Sequence, residues 1–190
     1  MAQPTKVAEA VRAHCVERFG EPSRRAEFRV RGVPIEVLKW GPDRHSEGVN
    51  LYVTVGWSEH SADSSQEHRV EFFTGFIPEN DEIARPLAML GDQDELLDHG
   101  HTVSFQEPLW PATSMRTFLV LRPRVELIPV LVFSKRLHVD FLQAIPIYPT
   151  ELNAKKRSGL DALLARWEKH KVPFWDPQRE ANPSGSEAEA

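Results

Sequence analysis

Leu137-His138-Val139-Asp140-Phe141-Leu142-Gln143-Ala144-Ile145-Pro146-Ile147-Tyr148, with the run that follows it to Trp167, decides the fold. Val139, Phe141, Gln143 and Ile145 fall on one face of a strand, and His138, Asp140, Leu142 and Ala144 on the other. Apolar residues crowd both faces toward the end, as in a strand covered on each side. Pro146 has no N–H to give, so the ladder is expected to break there, at an edge or at the exit that Pro149 marks. Thr150 is the expected cap of a helix that begins at Glu151. Ser158-Gly159-Leu160-Asp161 has capping-box logic for a second helix, in which Leu160, Leu163, Leu164 and Trp167 make one apolar stripe. That stripe needs a surface, and the sheet holding 137–148 is the nearest. The pattern predicts an α+β fold: a mixed, largely antiparallel twisted sheet packed with N-terminal and C-terminal helices.

Upstream, Val7, Val11, Cys15 and Phe19 repeat every four residues and predict a helix over 5–19, stopped by Gly20 and Pro22. Phe28 to Trp40 alternates as a strand with a break at Gly32 and Pro34. Val49, Leu51, Val53, Val55 and Trp57 predict one face of the clearest strand, with Tyr52 and Thr54 on the other. Arg69 to Ile77 is the next strand, expected to pair with it antiparallel across the polar loop His60–Glu67. Asn80-Asp81-Glu82 reads as a helix start that Pro86 keeps short. Strands are expected over 102–105, 116–121 and 125–133. Trp110 and Trp175 are expected to be core anchors.

The chain has 190 residues, 41% hydrophobic and 27% charged, which fits one domain with its own core. The domain is expected over 1–175. The Pro, Ser, Gly, Glu and Ala of 176–190 predict a disordered tail. Cys15 is the single cysteine, so no internal disulfide forms and a reducing, cytoplasmic setting is expected. No apolar run approaches the roughly 20 residues of a membrane span, and no signal-peptide core opens the chain. Between Glu59 and Glu107 twelve acidic residues stand against Arg69 and Arg85. Such a field disfavours nucleic acid and favours a basic partner.

Catalytic patterns do not assemble. His99-Gly100-His101 is the one close histidine pair and a weak candidate for metal, with His60 and His68 as outlying helpers. No HExxH or CxxC supports it, and a turn histidine that bonds backbone is the simpler reading. Gly56-Trp57-Ser58-Glu59-His60 lacks the second glycine of a nucleophile elbow. No glycine-rich phosphate loop or dinucleotide fingerprint is present, so no cofactor is expected.

Several blocks, in order, resemble the Suppressor of fused domain family. They are Val49 to Ser58 with its strand and Gly56-x-Ser58, Arg69-Val70-Glu71-Phe72 with a glutamate inside an apolar run, and Glu82 to Leu90. Gly100-His101-Thr102-Val103, Val139 to Ile145 followed by Thr150-Glu151-Leu152, and Gly159 to Leu164 complete the series. The resemblance spans about residues 25–180. It implies an α+β domain without catalytic activity. In animals the larger homologue restrains Gli-type transcription factors, trapping an extended peptide by strand addition between this domain and a second one. The present chain is expected to hold the first domain alone, like stand-alone bacterial members proposed to be immunity proteins against polymorphic toxins. The resemblance also carries two partner-contact positions across. Tyr52, four residues before Gly56, is expected to be accessible, and Asp63 lies in the acidic loop.

The expected function is therefore a non-catalytic binding module. Its leading form is an immunity-type inhibitor that meets a basic toxin domain through Tyr52, Glu59, Asp63, Glu67 and Glu95, occluding it by charge, with main-chain pairing at an exposed strand edge as a further means. An adaptor in a larger assembly and a histidine-based metal enzyme using His99 and His101 are the alternatives. Nothing in the pattern fixes an oligomeric state.

Overall fold

The computed structural model describes residues 6–59, 68–123 and 126–181. Helix α1 is Lys6–Phe19, followed by strands β1 (Arg24–Val30), β2 (Val33–Trp40), β3 (Asn50–Val55) and β4 (His68–Phe76). Helix α2 (Ala84–Met89) precedes β5 (Thr102–Ser104), β6 (Thr117–Leu121), β7 (Leu131–Val132) and β8 (His138–Ile147). Helices α3 (Pro149–Ser158) and α4 (Leu160–Lys169) close the series. The strands form one sheet in the order β1–β2–β3–β4–β8–β6–β5, with β7 paired to the start of β8. β4 and β8 run parallel; the other pairs are antiparallel.

The sheet pivots on β8. Its residues 138–143 pair with β4, and on the other side 143–147 pair with β6. Both edges of β8 are therefore paired, and both of its faces are covered. Val139 and Phe141 meet α1, which brings Val11, Cys15 and Phe19 over Leu38, Leu51, Val53 and Phe73. Further along the same face, Ile145 and Ile147 meet Leu163 and Trp167 of α4. On the opposite face Leu142 and Ala144 join Phe72, Phe76, Ile83, Leu87, Trp110 and Phe118 under α2 and the loops after it. Each large side chain removed from water here contributes about 1.5–3 kcal/mol against the entropy of ordering the chain. Pro146 stands opposite Phe118 near the strand's end, where its missing N–H is tolerated.

Local differences from the sequence pattern have local causes. The expected strand 28–40 is a hairpin: Arg31 (φ 46°) and Gly32 (φ 88°) make its two-residue turn, and Val30 pairs with Val33. Trp57 leaves the face of Leu51 and Val53 for the opposite core, because the strand ends at Val55 and Gly56 turns the chain at φ 134°. Asp81–Ile83 is a single 3₁₀ turn before the six-residue α2, which keeps Pro86 in the helix's first turn. Helix α3 starts at Pro149 rather than Glu151, with the Glu151 carboxylate accepting the Tyr148 N–H at 2.8 Å. Gly159, not Ser158, caps α4. Of the strand expected over 125–133, Leu131–Val132 is paired; Val125 lies outside the described residues.

The segment after α4 crosses back over the body as a strap. Trp175 accepts the Ile77 N–H through its carbonyl at 2.9 Å. Arg179 is buried and bonded to Glu151. Packed structure thus passes Asp176, where the composition predicted a tail; positions 182–190 lie outside the described residues.

Candidate partner-binding groove

Glu71 fixes the exit of β3. Wholly buried, its Oε1 accepts the Gly56 N–H (2.8 Å), the Ser58 N–H (3.0 Å) and the Ser58 hydroxyl (2.7 Å). Its Oε2 accepts the Thr54 hydroxyl at 2.6 Å. Thr54 in turn accepts the Phe72 N–H at 2.8 Å, replacing a ladder bond where β3 and β4 part. Burial pushes the Glu71 carboxyl above its usual range, against the four donors that favour the charged form. The Gly56-x-Ser58 block and the glutamate in the apolar run are thus one structural unit, with one carboxylate oxygen committed to the turn and the other to Thr54 of β3.

The expected contact residues do not converge. Tyr52 is 1% exposed, a correction to its expected accessibility, because α2 and the loops beyond it cover that face. Its hydroxyl donates to Asp81 at 2.9 Å and accepts the Asn80 N–H at 3.1 Å. Burial would raise the Asp81 carboxyl, but hydrogen bonds from Lys39 and Tyr52 and the Lys39 and Arg24 charges outweigh it and hold it low. Glu59 accepts the Ala8 N–H at 2.7 Å in the first turn of α1, on the other side of the sheet from Tyr52. Glu95 is exposed in the loop after α2. Asp63, Glu67 and His60 lie outside the described residues.

The acidic stretch is also less free than its sequence. Glu79 and Asp81 pair with Lys39, Asp92 with Arg31 and Asp98 with Arg122. The Nδ1 atoms of His99 and His101 accept the backbone N–H groups of Arg122 and Asp98, at 3.1 and 3.3 Å. Among the described residues no group of three His, Cys, Asp or Glu side chains could hold a metal.

What sequence reasoning missed is a groove. Between the ground covered by α1 and that covered by α4, the sheet face lies open as a depression of about 560 Å³. Its floor follows the register: Leu121 stands opposite Gln143, Gln143 opposite Phe73, and one step along Gly75 opposite Leu51. Gly75 keeps the floor low, since a Cβ there would come within 2.5 Å of Val49 Cγ2. Leu164 and Trp167 of α4 and Val172 and Phe174 of the strap make one wall. Ile77 and Trp175 stand at the mouth, 45% and 43% exposed, so Trp175 is a lip residue and not the expected core anchor. Trp110 is buried as expected. Gln143 is the polar side chain of the floor, and Glu47, Glu168, Lys171, His99 and Arg122 stand around it. The alternation of β8 could have located the floor; the wall could not be read, because the strap has no periodic signature.

The strap is held by Arg179. Its guanidinium gives two hydrogen bonds to Glu151, at 2.9 and 2.7 Å, and one to the Pro146 carbonyl at 3.1 Å. The Trp167 indole N–H adds a further donor to Glu151 at 3.0 Å. The guanidinium lies over the Tyr148 ring at 5.0 Å, and the Tyr148 hydroxyl donates to the Arg179 carbonyl.

A mixed sheet with a parallel β4–β8 seam, roofed by separate helix layers, defines an α+β domain that presents a sheet-floored groove. The family model for Suppressor of fused protein (SUFU) matches residues 31–180, and the chain belongs to that family. No curated protein matches the sequence. Among solved structures, a putative SUFU homolog from Neisseria gonorrhoeae is similar with a TM-score of 0.67 at 20% identity, over 92% of this chain and 96% of that one. A chain of the Sufu–Fu complex is similar with a TM-score of 0.69 at 14% identity, over 95% and 93%. Drosophila Suppressor of Fused gives 0.69 at 12% identity over 94% of this chain, which spans 51% of that one. At these identities the likeness is one of fold.

Proposed function

We propose that this chain is a non-catalytic, cytoplasmic protein-binding domain that takes its partner in the groove. The observation that carries the reading is the open apolar floor with Ile77 and Trp175 exposed at its mouth. A concave apolar surface rimmed by polar groups is where a partner gains most from leaving water, and tryptophan is a common anchor of such contacts. The ionisable groups stand at the rim, and Arg122 is committed to Asp98 and Asp140. The structural relative solved as a Sufu–Fu complex supports a protein as the ligand. Trp175→Ala and Ile77→Ser should each weaken partner capture at least about tenfold while leaving the thermal midpoint unchanged. Undiminished capture by both would remove the groove from the proposal.

The finer reading is an immunity-type inhibitor that occludes a toxin domain. The exposed carboxylates of Asp94, Glu95 and Glu107 favour a basic partner. Co-expression with the product of a neighbouring toxin gene should restore growth. Absence of rescue would leave an adaptor role in a larger assembly as the form of protein binding.

A further inference from the structure

We infer that β1 is a self-pairing edge, through which two copies of this chain join antiparallel about a two-fold axis at Ala26. β1 ends the sheet, and its seven residues pair with β2 on one side only. Its hairpin fixes which backbone groups face outward. Val30 and Val33 flank a two-residue turn in which Arg31 and Gly32 both have positive φ. Such a turn closes on a hydrogen-bonded pair, and every second residue from it is bonded in the same way. Val30, Phe28, Ala26 and Arg24 therefore give their N–H and C=O to β2. Arg25, Glu27 and Arg29 direct theirs away from the sheet, and each of these residues is exposed. Among the described residues no hydrogen bond reaches those outward groups.

Charge selects the occupant and the register. An antiparallel pairing centred on Arg25, Glu27 or Arg29 sets that residue on its own copy, like charge on like. One centred on Phe28 sets Glu27 on Arg29 but Arg25 on Arg31. Centred on Ala26, it sets Arg25 on Glu27 at both ends, with no like charges opposite. Opposite charges across a strand pair are favourable and like charges are not. Ala26 then meets its copy in a non-hydrogen-bonded pair, where side chains come closest and a small one is needed. Arg24 lies across from half-buried Phe28, whose ring its stem can cover. Glu27 has no ion pair among the described residues, and its neighbour across the hairpin is Glu36, already held by Arg12. Arg25 has an exposed contact with Glu21 at 3.4 Å. A second copy supplies each with the opposite charge. β5, at the other end of the sheet, is three residues long, which favours a closed pair over head-to-tail growth. β2 separates β1 from the groove floor, so the pair keeps two free grooves.

The seam is short and its dimer correspondingly weak, so sedimentation equilibrium of the full chain from micromolar to millimolar concentration tests it. The parent should pass from monomer to dimer. Arg25→Glu and Glu27→Arg should each weaken the dimer at least about tenfold by setting like charges opposite, with the thermal midpoint of the monomer unchanged. Mixed in equal amounts, the two variants should return to within about threefold of the parent, because each supplies the charge the other lacks. Ala26→Cys in an oxidising glutathione buffer should give a covalent dimer, since Cys15 is buried. A parent that stays monomeric throughout would overturn the proposal. A dimer that both charge variants leave intact would overturn it too, by placing the contact elsewhere. Loss in both variants without recovery on mixing would overturn the register about Ala26.

Discussion

Glu151 grips Arg179 with both carboxylate oxygens, in a site where the two side chains are 3% and 1% exposed. The pair joins the first turn of α3 to a strap residue 28 positions later, and through it the strap wall of the groove is set. Breaking a buried pair from one side leaves a charge with no partner and no water, at a cost of about 3–5 kcal/mol. Arg179→Ala should lose about that much in urea unfolding. Glu151→Leu combined with Arg179→Met should recover only part of it, because the Tyr148 and Trp167 N–H groups then lose their acceptor. If the single variant costs less than about 1 kcal/mol, the strap is not anchored there.

Glu71 links pH to stability. Its carboxyl is raised above an ordinary value of 4.5 by burial, so the folded state keeps its proton to higher pH than the unfolded chain does. Its contribution is fully present below the unfolded value and is lost as pH rises through the folded one. Glu71→Gln retains an oxygen for Gly56 and Ser58 and can donate to Thr54, so it should stay within about 1.5 kcal/mol of the parent and show a flatter stability profile above pH 4.5. Glu71→Ala strands two backbone N–H groups and should cost at least about 3 kcal/mol. Urea midpoints across pH 4 to 9 decide it, and identical slopes for parent and Gln variant would contradict the linkage.

Gly56 has two reasons to be glycine. Its φ is 134°, and a Cβ would meet the Pro34 carbonyl oxygen at 2.7 Å. Gly56→Ala should cost at least about 2 kcal/mol, from strain and displaced backbone together. Gly32→Asn, at a hairpin turn with nothing within 4 Å, should cost much less. Comparable losses at both positions would contradict the close approach.

Cys15 lies on the buried face of α1, sealed against the sheet. Burial, and after it the Glu71 charge, push its thiol up to about 12. Modification by a disulfide reagent at pH 8 should be at least about 100-fold slower in the native protein than in urea, because reaction waits on opening of α1. Rapid native labelling would mean that α1 leaves the sheet easily.

The β8 strand, the α4 stripe and the antiparallel β3–β4 pair are legible in the sequence because each follows a period that burial imposes. Tyr52 escapes the same reading because alternation says which residues share a face, not which face stays bare. The cover over Tyr52 comes from α2 and loops rich in isolated apolar residues such as Trp110 and Met115. Trp57 changes sides at a single glycine, a torsion that no spacing encodes. Arg179 sits in a stretch whose composition argues for disorder, and its partner is far away in sequence. The groove is hidden for a related reason. A gap between two helices is a property of where layers end, and it has no motif of its own.

The parallel β4–β8 seam has a consequence for synthesis. β1 to β4 emerge first and can pair among themselves, yet the far edge of β4, with Val70, Phe72 and Phe73, stays unpartnered until residues 138–143 leave the ribosome. For the interval in which about 60 intervening residues are made, the nascent chain carries a sticky apolar border, so a chaperone would find its binding site on β4, and ribosomes stalled before His138 would release aggregating fragments.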